Sequence, residues 1–147
     1  MPCFDCNKSK LDLVPTDAEK QTLHPYFDDV DSARWLAAEV VKQNPAALKF
    51  NVDPPAGWRA LTRRRVRYHF KLFKLAQLYA SHAAEELLNI RQQITSLHAA
   101  AGSKEVRAHL FERRDSCEAN YLNSWQSATY RALAESDWYV GGGFAYS

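Results

Sequence analysis

From Trp58 to Ala101 the chain runs for 44 residues without a glycine or a proline. That uninterrupted stretch constrains the fold more than any other feature. Within it Tyr68, Leu72, Leu75, Tyr79, Ala83, Leu87, Ile90, Ile94 and Leu97 follow one another at spacings of three or four. Such spacing places them on one face of an α-helix, with a slight stutter near residues 79–87. Gly102 suits the position just after a helix, and Ser103 can begin the next one with Glu105 in its first turn. A second apolar line, Val106, Leu110, Cys117, Tyr121, Trp125, Ala128 and Ala132, extends that next helix to about residue 137.

These patterns predict an all-α chain built on a long antiparallel hairpin, residues 58–101 and 103–137. Asp31 reads as the cap of a short helix over 32–43, which the proline at position 45 ends. Residues 45–57 form a proline-rich connector. No β-pattern competes with this reading. A straight first arm would span about 65 Å at 1.5 Å per residue, against a radius of gyration of about 15 Å for a compact domain of this size. The expectation is therefore an elongated molecule; the alternative is an arm broken at the Ala80–Ala84 stutter. One domain covers 1–147: an irregular, extended arm over 1–30, a helical body over 31–137, and an aromatic, glycine-rich tail over 138–147.

Charge is segregated along this frame. Residues 1–53 carry six bases against nine acids, and residues 85–147 carry six against eight. Residues 54–84 carry seven bases and no acid. On a helix Arg59, Arg63, Arg67, Lys71 and Lys74 form a stripe that Arg64 widens. Leu61, Tyr68, Leu72 and Leu75 belong to the hairpin seam on one side of it. Val66, Phe70 and Phe73 make a second apolar face roughly opposite. A helix with two apolar faces is covered on both sides. Cations also crowd the N-terminal end of this helix, where the macrodipole favours acids, and such a broken local rule points to function.

The stripe reads either as a solvated face, partly neutralised by the acidic N-terminal region (Asp28, Asp29, Asp31), or as contact with an acidic neighbouring protein subunit or an anionic lipid surface. The alternative is nucleic acid, favoured by Tyr68, His69, Phe70 and Phe73 interleaved with the cations. A sequence pI near 8.4 and the lack of a helix-turn-helix, RRM, KH or zinc-finger pattern weigh against it.

Other chemistry is sparse. Cys3 and Cys6 have the spacing of two metal-ligating thiolates, but no second pair completes a site, so they are weak metal candidates. His82 with Glu85 and Glu86, and His109 with Glu105 and Glu112, resemble fragments of a carboxylate-bridged centre without its ordered Glu-x-x-His motif. There is no nucleophile elbow and no phosphate-binding glycine loop, because Gly141–Gly143 follow a helix instead of opening one. No cofactor is expected and the chain reads as a non-enzyme. Trp138, Tyr139, Phe144 and Tyr146 give the tail four aromatic side chains to dock, on the body or on a neighbour.

The longest uncharged runs, Gln92–Ser103 and Ala119–Tyr130, are twelve residues each, short of the roughly 20 apolar residues a membrane span needs. Three cysteines predict a reducing, intracellular compartment. The function expected from this build is a non-catalytic accessory subunit of a multiprotein assembly, by analogy of shape a membrane-peripheral one in a mitochondrial or other organellar energy-transducing complex. An RNA- or ribosome-associated protein and a small inhibitor or immunity-type binder are the rival classes.

Overall fold

A computed structural model describes residues 30–145. The expected arm over 1–30 thus lies almost wholly outside the described residues, as do Cys3, Cys6 and Tyr146. The described chain is mainly helical, yet the all-α expectation is overturned by a two-stranded antiparallel sheet, β1 (Leu36–Val41) and β2 (Ala47–Val52). Strand β1 occupies the middle half of the segment expected as a helix over 32–43. Its residues alternate, and so do those of its partner. Leu36, Ala38 and Val40 lie opposite Val52, Phe50 and Leu48 on one face, where Leu36, Leu48 and Phe50 are buried. Glu39 faces Lys49 on the other face, an opposite-charge cross-strand pair. The Asn44–Pro45 peptide in the connecting turn is cis.

Four helices follow: α1 (Ala60–Leu72), α2 (Leu75–Ala101), α3 (Ser103–Asn120) and α4 (Trp125–Glu135). Neither arm of the expected hairpin is continuous. The first, 58–101, breaks at Phe73–Lys74, not at the Ala80–Ala84 stutter. There the backbone turns through Lys74 in the left-handed conformation (φ 51°, ψ 41°), and the Lys74 N–H bonds to the Lys71 carbonyl at 3.1 Å. The cause is geometric. At 3.6 residues per turn, Val66 and Phe70 would point roughly 130° away from the Leu75–Ile94 line on an unbroken helix. The break lets both faces reach one core, in which Val66, Phe70, Leu75, Ala83, Leu87, Ile90 and Ile94 are all buried. An unbroken 65 Å arm is thereby ruled out.

The turn between α2 and α3 forms at Gly102, whose φ of 85° is easy for glycine and strained for other residues. The second expected arm, 103–137, breaks after Asn120. Ser124 caps α4, its Oγ accepting from the Ser127 N–H at 3.0 Å, the usual role of serine at that position. Helix α4 is the most buried element: Ser127, Ala128, Thr129, Tyr130, Ala132, Leu133 and Ala134 are all inside. Its small residues let it pack closely against α3, β1 and α2. A π-helical turn, Tyr139–Gly143, closes the described chain. A Cβ at Gly143 would lie 2.5 Å from the Trp138 ring, so only glycine fits there.

Asn123, in the α3–α4 junction, ties the start of the sheet to this core. Its Oδ1 accepts from the N–H groups of Trp35 (2.8 Å) and Leu36 (3.2 Å). Its Nδ2 donates to the carbonyls of Ala33 (2.9 Å) and Val30 (3.3 Å). Arg131 adds a bond to the Leu36 carbonyl at 2.6 Å.

Candidate functional site

Helix α1 begins at Arg59 without a side-chain cap and without an acid in its first turn. It lies on the body through Val66 (0% exposed) and Phe70 (7%), which pack with Phe50 and Tyr79. The Phe70 and Tyr79 rings are 6.2 Å apart, and those of Phe50 and Tyr79 5.7 Å. Phe73 meets the His69 ring edge-on at 4.7 Å. The second apolar face named from sequence is therefore the buried one. Of the face assigned to the seam, Leu61 is exposed and Tyr68 and Leu72 are half-buried. The break at Lys74 exchanged the two, because it rotates α1 relative to α2.

The stripe stays outside. Arg59, Arg64, Arg67, Lys71 and Lys74 are exposed and Arg63 is half-buried. Among the described residues Arg59, Arg63, Arg67, Lys71 and Lys74 form no ion pair, whereas Arg64 and Arg65 are each engaged by a partner. The Nε of Arg63 is buried without a hydrogen-bond acceptor. A row of like charges at a helix N-terminus is held there against both mutual repulsion and the macrodipole. Such a row is stabilised by any anion that reaches it.

Several other chemistry-bearing side chains are engaged internally. Tyr130, 1% exposed, donates a short hydrogen bond to Glu86 Oε1 and accepts one from Arg113 at 2.9 Å. Burial, reinforced by the Glu86 bond, pushes its phenol well above the ordinary 10.0. Glu118 holds Arg34 at 2.7 Å and lies 3.7 Å from Arg131. Arg131 is pulled below its ordinary value by burial first and by the Arg34 charge second. Burial likewise raises the Cys117 thiol, with Arg113 opposing it, so this cysteine is no activated nucleophile.

His82 stacks on Trp125 at 5.4 Å, and Glu86 is already bonded to Tyr130. The carboxylate-bridged fragments considered above thus do not assemble. No group of three or more His, Cys, Asp or Glu side chains able to hold a metal occurs among the described residues. Of the tail residues, Tyr139 and Phe144 are buried against each other at 5.8 Å and Trp138 is half-buried. An open depression of about 390 Å³ on α2 is lined by Leu88, Arg91, Gln92, Thr95 and Ser96; its polar groups do not converge on a point. No helix among the described residues is long and apolar enough to cross a membrane.

No family model and no solved structure matches the chain. It is similar to the protein ea31 of Escherichia phage lambda, with 29% identity over 148 residues that take in 92% of this chain and 50% of the phage protein. The chain spans about half the length of the curated relative it matches.

The sequence signalled the stripe through its lack of acids. It did not signal Asn123, Glu118 or Arg131, which act on backbone and charges some 90 residues away. The one available hint was Asn123-Ser124, a pair of good capping residues inside a predicted helix.

Proposed function

We propose that this chain is a nucleic-acid-contacting module in which α1 lays its cationic stripe against phosphates. The observation that carries the reading is the set of five cations, Arg59, Arg63, Arg67, Lys71 and Lys74, without an ion pair among the described residues. Four lie along α1 and its N-cap, Lys74 lies at the break that ends it, and the Val66–Phe70 side of the helix is covered by its own fold. That cover favours a phosphate partner. Protein hot spots centre on buried aromatic or apolar anchors, and a peripheral membrane helix inserts an apolar face. On α1 Val66 and Phe70 are inside and Phe73 packs on His69; Leu61 is exposed and Tyr68 and Leu72 are half-buried, so cations make up most of what remains open. Point charges suffice for phosphate contact, which supplies most non-specific nucleic-acid affinity.

Fluorescence anisotropy with a labelled mixed-sequence duplex and a single strand, at 50 and 200 mM salt, tests the reading. The expected result is binding at low salt that weakens at least tenfold at high salt and is abolished by R63E/R67E/K71E. Absence of binding to either probe at 50 mM would sink it.

An accessory role in a protein assembly is the second reading. It is favoured by Leu88 (60% exposed) and Tyr121 (74%), large apolar side chains open to solvent on other elements. Similarity to a phage protein lends no support to an organellar, membrane-peripheral placement. Co-purification of a stoichiometric partner that is lost with L88E or Y121E would favour this role.

A further inference from the structure

Resting on the nucleic-acid reading, we infer that α1 contacts phosphates alone and reads no base, so that its contribution to binding is indifferent to sequence. Bases are read by stacking or by hydrogen bonds to their edges. The stacking groups of this helix are largely covered: Phe70 is buried among Phe50 and Tyr79, Phe73 is edge-on to His69, and Tyr68 is half-buried. Trp58 packs against the core. Residues 60–72 contain no Asn, Gln, Asp, Glu or Ser, and Thr62, Tyr68 and His69 are each half-buried. Edge reading would therefore fall to arginine and lysine.

Their placement argues against that use. At 100° per residue, Arg59, Arg63, Arg67 and Lys71 fan over about 120° of the helix circumference and about 18 Å of its length. A base-reading set converges on one narrow line along a groove floor. A fan of this width matches charges set out along a backbone.

The discriminating experiment preserves charge while changing shape. A bidentate arginine–guanine contact is weakened when arginine's planar fork becomes lysine's single ammonium, and it is worth roughly 5- to 150-fold in discrimination. A phosphate contact survives, because lysine supplies the same point charge. Affinities of the whole chain are measured for A·T-only, G·C-only and mixed duplexes of equal length. The proteins are the wild type, R63K/R67K, and R63A/R67A as the charge-removing control.

The three duplexes should bind wild type within about threefold of one another. R63K/R67K should stay within about twofold of wild type. R63A/R67A should lower the slope of log affinity against log salt by about 1.8, at 0.9 per phosphate contact. A preference of tenfold or more for G·C that R63K/R67K removes overturns the inference and leaves the nucleic-acid reading standing. No binding to any duplex at low salt overturns both. An unchanged salt slope in R63A/R67A removes α1 from the contact.

Discussion

Arg113, Arg114 and Arg131, on α3 and α4, each lie beside a carboxylate of the same chain, whereas Arg59, Arg63 and Arg67 on α1 have none among the described residues. Both sets project from helices of one fold, and both flank buried apolar residues. The difference lies in the neighbourhood. Helices α3 and α4 interleave acids with their bases, so each guanidinium finds a partner locally or across one turn of chain. No acid occurs from Pro54 to Ala84, so α1 cannot neutralise itself. Cations of the first kind hold the molecule together; cations of the second kind remain available to something else.

That contrast can be broken by substitution, and the largest effect is expected where side-chain partners are most numerous. N123A removes four hydrogen bonds at about 1 kcal/mol each or less, and should cost roughly 2–4 kcal/mol of stability in urea denaturation. A change below about 1 kcal/mol would mean that the junction is not the anchor its geometry describes.

Y130F should cost less, about 1–2 kcal/mol at pH 7, and should also change the pH profile. The Tyr130 proton is held more tightly in the folded state than in the unfolded chain, because the folded value is raised above 10.0. Its stabilising contribution is complete below pH 10 and is lost as pH rises through the folded value. Wild-type stability should therefore fall more steeply than that of Y130F between pH 10 and pH 12. Parallel profiles would remove Tyr130 from the linkage.

K74G should raise stability by about 1 kcal/mol, since glycine takes the left-handed conformation without the penalty a side chain carries. A loss of stability would show that the Lys74 side chain has a role the fold does not display. Smallest of all, R63A/R67A/K71A should leave the denaturation midpoint unchanged or slightly higher at low salt, because like charges are being removed. A drop comparable to that of N123A would erase the contrast between the two sets.

Much of this was legible in the sequence, and the illegible parts share a cause. Spacing of three and four between Leu75 and Leu97, followed by Gly102, located α2 and its turn. The stripe on α1 was legible from its missing acids. Strand β1 was not, because in LAAEVV the alternation Leu36, Ala38, Val40 is blurred by small Ala37 and apolar Val41, and a capping Asp31 invites a helix. The break at Lys74 carries no glycine or proline. It arises because two apolar faces on one stretch of chain must meet a single core. The face of α1 that is buried could be known only once that break was known. Asn123 escaped for a related reason: its partners are backbone groups, which every residue carries.

The bonds from Asn123 and Arg131 to Leu36 join residues 87 and 95 positions apart, whereas α2 and α3 meet across the turn at Gly102. Closing the longer loop loses more chain entropy, and non-local contacts slow folding. The order of assembly follows from this topology. The α2–α3 hairpin forms early, and the sheet is sewn onto α4 last. A contact made after the transition state governs how fast a protein comes apart more than how fast it forms. Loss of the Asn123 junction is therefore expected to speed unfolding more than it slows folding.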